Sequence, residues 1–231
     1  MNQLIKLTLM WAVLALAITA CQSPADQEQA QAQGAETETS AEQPQAEAPA
    51  PATVLNANLA TESDLTGLGL SAELVSKIME ARPFLTMQDL DALLGEEVDK
   101  AALYQQLFVP LNLNTTPEAD FKMIPGVGDR MAHEFEEYRP YTSIQQFRRE
   151  IGKYVDEEEV ARYEPFVFVP VELNTASEAD IKALPGVGDR MAHEFEEYRP
   201  YANLAQFRQE IGKYVDDQEL ARLERLVYVA K

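Results

Sequence analysis

The six residues Pro125-Gly126-Val127-Gly128-Asp129-Arg130 return sixty positions later as Pro185-Gly186-Val187-Gly188-Asp189-Arg190, inside a run that is identical from Pro125 to Tyr141 and from Pro185 to Tyr201. Pro fixes φ and stops a preceding helix, and each Gly permits φ > 0, so Pro-Gly-Val-Gly reads as a tight turn. A helical pattern follows at once. Backbone N–H groups that converge ahead of a helix N-terminus favour an anion, through unpaired donors and through the helix dipole. Asp129 and Asp189 work against that chemistry, because a carboxylate there complements the dipole itself and repels a ligand anion. The turn is not a nucleotide phosphate loop: it lacks a preceding strand and a Gly-Lys-Ser/Thr end. His133 and Glu137 stand at i, i+4 on the following helix, as do His193 and Glu197. One His and one Glu make an incomplete metal site, so they read as a surface pair. Glu134, Glu136 and Glu137 read as a solvated helix face rather than as acid–base catalysts, which need a pocket. No Ser, Cys and His arrangement is nucleophilic. No enzyme activity, cofactor or metal is expected.

Elements that position the two turns can be read outward from them. The helix after the turn carries Met131, Phe135 and Tyr138 at i, i+4, i+7, an apolar stripe for a core. Arg139-Pro140 ends it. A third helix carries Ile144, Phe147 and Ile151, Gly152 breaks it, and Asp156 caps a fourth containing Val160 and Tyr163. Ahead of the turn, Thr115 with Glu118, and Thr175 with Glu178, fit capping boxes for a short helix. The pattern closes in an extended apolar link, Phe166 to Pro170. An Asn-containing opening (Asn56-Ala57-Asn58, Asn112-Leu113-Asn114, Leu173-Asn174) and this link mark three units of about sixty residues, 54–110, 111–170 and 171–231. In the first, Leu68-Gly69-Leu70-Ser71 replaces Pro-Gly-Val-Gly. The fold class expected is all-α, a tandem array behind a linker.

The chain carries a formal net charge of −20. It is spread as −6 over residues 21–53, −6 over 54–110, −5 over 111–170 and −4 over 171–231. No unit has the basic excess common in nucleic-acid binders. Residues 21–53 are rich in Ala, Gln, Glu and Pro and lack aromatic or long aliphatic side chains until Val54, so they read as a disordered acidic linker. Such a coil spans roughly 30 Å root-mean-square. Residues 1–20 read as a secretory signal, with Lys6 before the uncharged apolar stretch Leu7 to Ala17. Ile18-Thr19-Ala20-Cys21 resembles the bacterial lipoprotein cleavage box, which implies lipid attachment at Cys21. An ordinary signal peptide cut near Ala20 is the alternative. The resemblance implies a protein anchored to a membrane outside the cytoplasm, at the outer membrane in a Gram-negative cell.

Asn-Thr-x-x-Glu-Ala-Asp followed by an apolar helix and Pro-Gly-Val-Gly is similar to the helix-hairpin-helix domain, with the closest resemblance to the competence-protein ComEA type. That family implies four-helix units that grip the backbone of double-stranded DNA without reading sequence. Carried over by position, the phosphate-binding amides belong to Gly126, Val127 and Gly128 and to Gly186, Val187 and Gly188, with Arg130 and Arg190 as basic partners. The second hairpin, glycine-rich in many relatives, is here Ile151-Gly152-Lys153-Tyr154, with one glycine. A membrane-tethered member resembles a DNA-uptake receptor. The alternative from the acidic balance is a scaffold whose hairpins are purely structural and whose surface meets a basic protein partner. A basic patch joining Arg130, Lys153 and Arg190 would favour DNA over the scaffold.

Overall fold

Each turn sits inside a closed loop of four helices whose first and last residues pair with each other. The computed structural model describes residues 53–230. The expected signal, Cys21 and nearly all of the linker lie outside the described residues. The first loop contains β1 (Leu55–Asn56), α1 (Glu62–Gly67), α2 (Ala72–Ala81), α3 (Met87–Asp91), α4 (Lys100–Tyr104) and β2 (Leu107–Phe108). The second contains β3 (Leu111–Asn112), α5 (Glu118–Phe121), α6 (Asp129–Glu137), α7 (Ile144–Ile151), α8 (Glu157–Tyr163), a 3-10 turn at Glu164–Phe166 and β4 (Val167–Phe168). The third contains β5 (Val171–Glu172), α9 (Glu178–Lys182), α10 (Asp189–Glu197), α11 (Leu204–Ile211), α12 (Asp217–Glu224) and β6 (Val227–Tyr228). Apart from the 3-10 turn of the second, the three segments share one element order.

The expectation of an all-α fold needs one correction. The extended link of each segment runs parallel to its own opening residues: Leu55 pairs with Leu107, Leu111 with Val167 and Val171 with Val227. The fold is mostly helical, with three two-residue ladders. Ala57, Leu113 and Leu173 N–H groups extend them by donating to the Phe108, Phe168 and Tyr228 carbonyls at 2.8–2.9 Å. The Asn of each opening brackets the chain after Arg-Pro. Asn114 Nδ2 donates to the Tyr141 carbonyl at 2.8 Å, and Tyr141 N–H donates to Asn114 Oδ1 at 2.7 Å. Asn58 with Phe84, and Asn174 with Tyr201, repeat the bracket. The Arg-Pro arginines are spent on structure as well: Arg199 Nε donates to the Leu173 carbonyl at 2.6 Å and Arg139 Nε to that of Leu113 at 2.5 Å.

Helices α7 and α8 bury the residues their apolar spacing predicts, Ile144, Phe147 and Ile151 and then Val160 and Tyr163, whereas α6 buries Phe135 with Ala132 and leaves Met131 and Tyr138 half-buried. Asp156 caps α8 by accepting from Glu159 N–H at 2.9 Å. The predicted boxes at Thr115 and Thr175 are absent. Thr115 N–H instead closes a turn on Asn112, α5 starts after Pro117 without a side-chain cap, and α9 is capped by Ser177. The chain needs two further residues to turn from the strand into the helix, which moves the cap past the threonine.

First and second segments share one continuous apolar core, joined where Phe108 meets Phe166 edge-on at 5.0 Å between ring centroids. The third has its own core, and Arg225 fastens it to the first: the guanidinium donates to the Phe84 carbonyl at 3.3 Å and to the Pro110 carbonyl at 3.0 Å. Burial pushes Arg225 down to about 10, so it stays charged at neutral pH.

Candidate nucleic-acid interface

In both turns only the first glycine has left-handed backbone, φ +80° at Gly126 and +71° at Gly186. Gly128 and Gly188 are extended, and each forms the N-cap of the helix that follows. The middle residue is not presented outward as predicted. Val127 N–H donates to the Ile124 carbonyl at 3.0 Å and Val187 N–H to that of Leu184 at 3.1 Å, with both side chains in the core. A tight turn must satisfy one amide internally, and it is the amide of the buried residue.

What faces solvent is the start of the helix. A glycine N-cap has no side chain to accept from the first turn, and the N–H groups of Gly128, Asp129 and Arg130 have no protein acceptor among the described residues; the same holds for Gly188, Asp189 and Arg190. Unpaired first-turn donors are where a helix takes an anion. The first segment keeps the left-handed glycine, Gly69 at φ +80°, but Ser71 fills the position of Gly128. Its hydroxyl accepts from Leu74 N–H at 3.3 Å, so one first-turn donor of α2 is satisfied by its own cap. Ser71→Ala should lower stability by about 1 kcal/mol, the usual loss for such a cap. A thermal midpoint unchanged by that substitution would show that the cap is idle.

Behind the turn an arginine braces it. Arg162 Nη1 donates to the Pro125 carbonyl at 2.7 Å while Glu159 holds the guanidinium at 2.6 Å on both oxygens. Arg222 does the same for Pro185 at 2.5 Å, gripped by Glu219 at 2.7 Å, and is only 2% exposed. Neither arginine was anticipated, because 37 residues separate each from the carbonyl it holds.

The lysines beside the turn were also missed. Lys122 Nζ reaches Asp129 Oδ1 at 2.9 Å, and Lys182 reaches Asp189 at 2.9 Å and Glu178 at 2.6 Å. The turn reverses the chain, so residues seven apart become neighbours. Lys122 holds the Asp129 carboxyl below its ordinary value and is itself raised in return. The aspartate that opposes an anion is therefore paired with a lysine on the same rim.

Arg130 and Arg190 are exposed and make no ion pair among the described residues. The Arg130 guanidinium stands 5.9 Å from the Tyr154 ring, and Lys153 Nζ 4.9 Å from the Tyr138 ring. The two phenol oxygens are 2.7 Å apart. Arg130 and Lys153 thus share one tyrosine cluster that bridges the first turn and the Gly152 turn, with Lys153 also paired to Glu150. Arg190 does not join them; the third segment has its own version, where Lys213 lies 5.2 Å from Tyr198 and Tyr198 meets Tyr214 at 2.7 Å.

The solvated-face reading fails for one glutamate of the three. Glu134 and its counterpart Glu194 are each 9% exposed, with one carboxylate oxygen unpartnered. Tyr154 lies beside the Glu134 carboxylate, and Tyr214 beside that of Glu194. The Tyr138 hydroxyl and the Glu134 carboxylate together push the Tyr154 phenol upward, so it stays protonated. His133 is exposed, 3.5 Å from Glu118 and 4.0 Å from Glu137, and His193 is 3.6 Å from Glu197. No cluster of three or more His, Cys, Asp or Glu side chains is placed to hold a metal among the described residues.

Turn, uncapped helix and neighbouring cations thus stand together on one rim in the second and third segments. Residues 167–227, which contain the Pro185–Arg190 turn, match the family model of the helix-hairpin-helix motif. No curated protein and no solved structure matches the chain.

Proposed function

We propose that this protein binds the backbone of double-stranded DNA without reading its sequence, as a tandem array of three helix-hairpin-helix units of the ComEA-like kind. The observation that carries the reading is the uncapped N-terminus of α6, with its free amides beside Lys122 and Arg130. Backbone donors and point charges recognise phosphate and carry no base information. Cys21 would anchor the chain by lipid outside the cytoplasm, residues 21–53 would serve as spacer, and the whole would act as a non-enzymatic receptor in DNA uptake. The second reading is an acidic scaffold for a basic protein, favoured by the brace of Arg162 and Arg222, which gives the turns a structural task of their own.

Gly128→Asp with Gly188→Asp separates the two. Both glycines are extended and a Cβ there meets nothing within 4 Å, so the backbone accepts a side chain. Aspartate would cap its own helix as Ser71 does and place a carboxylate where a phosphate would sit. The variant should fold at least as stably, since Asp exceeds Gly as an N-cap by a few tenths of a kcal/mol. Fluorescence anisotropy with a labelled duplex, titrated in salt, should show binding by the unaltered chain that falls linearly in log–log form and is absent in the variant. Equal binding by both proteins would leave the turns purely structural.

A further inference from the structure

The ladders put the three segments in register: Leu55 corresponds to Leu111 and Val171, and Leu107 to Val167 and Val227. By that count Pro165 of the second segment stands where the third has Arg225. The entry of one segment meets this position of the next. Pro110, just ahead of Leu111, has its carbonyl held by Arg225 at 3.0 Å. Val54, just ahead of Leu55, lines one groove with Pro165. What precedes the entry differs. Ahead of Pro110 run Leu107, Phe108 and Val109, all fully buried. Ahead of Val54 stands Thr53, which is exposed, and the chain before it lies outside the described residues. The groove that begins there measures about 1140 Å³ and runs along the seam of two segments, with Val54 and Gln105 from the first and Pro125 and Val155 from the second.

We propose that this groove is the docking site for the end of the chain's own linker, Ala48-Pro49-Ala50-Pro51-Ala52. That stretch ends at Thr53, where the groove begins, so it reaches the site with no intervening chain. Alternating Ala and Pro favours extended polyproline backbone, so the stretch covers about 15 Å at roughly 3.1 Å per residue. Proline has already fixed φ, which lowers the entropy lost on docking. Pro-rich segments of this kind are held by apolar grooves, and Val54, Pro125, Val155 and Pro165 supply apolar walls. The rim sets the limit of the docked stretch. Asp156 and Glu158 are exposed there, while Glu159 is paired with Arg162. Residues 48–52 carry no charge, and the next residue upstream is Glu47, which the rim carboxylates repel. The docked stretch bridges the seam beside the Pro125 turn and sets where the tether leaves the folded segments. Such docking does not require that the turns bind DNA.

Backbone order parameters of the full-length, isotopically labelled chain in detergent test the docking. The Ala48 and Ala50 N–H groups should reach S² of about 0.85, as in folded backbone, while Ala30, Ala32 and Ala35 of the same linker stay below about 0.6. Ala161 is an exposed residue of α8 that lines the groove. Ala161→Glu places a further carboxylate there, and Glu is nearly as good a helix former as Ala. It should release Ala48 and Ala50 to below about 0.6. Pro51→Asp lies outside the three segments, puts the like charge on the linker instead, and should do the same. Circular dichroism checks that both variants keep the fold. Values below about 0.6 at Ala48 and Ala50 in the unaltered chain would overturn the proposal, as would rigidity that survives both substitutions. Order that grows with protein concentration would assign the groove to the linker of a second copy. A free linker, with Val155 and Glu158 signals that shift on added polylysine, would assign it to a basic partner. Either result ends docking within one chain.

Discussion

Phe135→Ala should destabilise the chain by about 3–5 kcal/mol, the range for truncating a buried phenylalanine. Phe135 is fully buried, and three rings meet it edge-on: Phe121 at 5.4 Å, Phe147 at 5.2 Å and Tyr163 at 5.4 Å. Each such pair contributes about 0.5–1.5 kcal/mol beyond the area it buries. The duplicate position is a built-in control. Phe195 is equally buried but keeps a single ring partner, Phe207 at 5.1 Å, because Ile181 and Leu223 replace Phe121 and Tyr163. Phe195→Ala should therefore cost less. Because the core of the second segment is continuous with that of the first, Phe135→Ala should lower both together, whereas Phe195→Ala acts on a separate core. Urea unfolding followed by far-ultraviolet circular dichroism measures both. Equal losses would mean that the ring contacts add nothing to burial.

Arg222→Ala should cost about 1–3 kcal/mol, by a different route. The Arg222 side chain is 3% exposed, and its removal strips Glu219 of its partner and the Pro185 carbonyl of its donor. Glu219 is half-buried, so water reaches part of the carboxylate that is left, and the unfilled space and the Pro185 carbonyl carry the rest of the loss. Arg162→Ala removes the same contacts from the second segment, but that side chain is 38% exposed, so water can take over and the loss should be clearly smaller. Joint replacement, Arg222→Met with Glu219→Leu, should recover most of the stability while leaving Pro185 unbraced. Should the double variant unfold as readily as Arg222→Ala, the carboxylate left behind is not the source of the damage.

The helices were legible because their signals are local. Apolar spacing marked α6, α7 and α8, and Gly152 and Asp156 marked a break and a cap with purely short-range effects. The left-handed glycine was legible for the same reason. The ladders were not, since Leu111 and Val167 lie 56 residues apart and an apolar extended link has no pairing signal of its own. Lys122 against Asp129 required the reversal of the turn to be known in three dimensions. Glu134 looked solvated because a helical wheel places it at the edge of the polar face; only the tyrosines of a neighbouring turn reveal that the edge is covered. Identical sequence also concealed a difference. From Pro125 to Tyr141 nothing distinguishes the second segment from the third, and it takes Leu59 and Arg225, outside the repeated run, to give the two turns unequal surroundings.

The parallel ladders leave each segment with its two ends lying side by side, one strand spacing apart, and the next segment begins three residues after the last ladder residue of the one before. A module whose ends coincide can be copied, removed or inserted at Pro110 or Pro170 without reaching across its neighbours. Growth of the array by gene duplication then needs no new linker. Divergence at the seams, as at Arg225 against Pro165, is enough to give copies of one inherited part different neighbours.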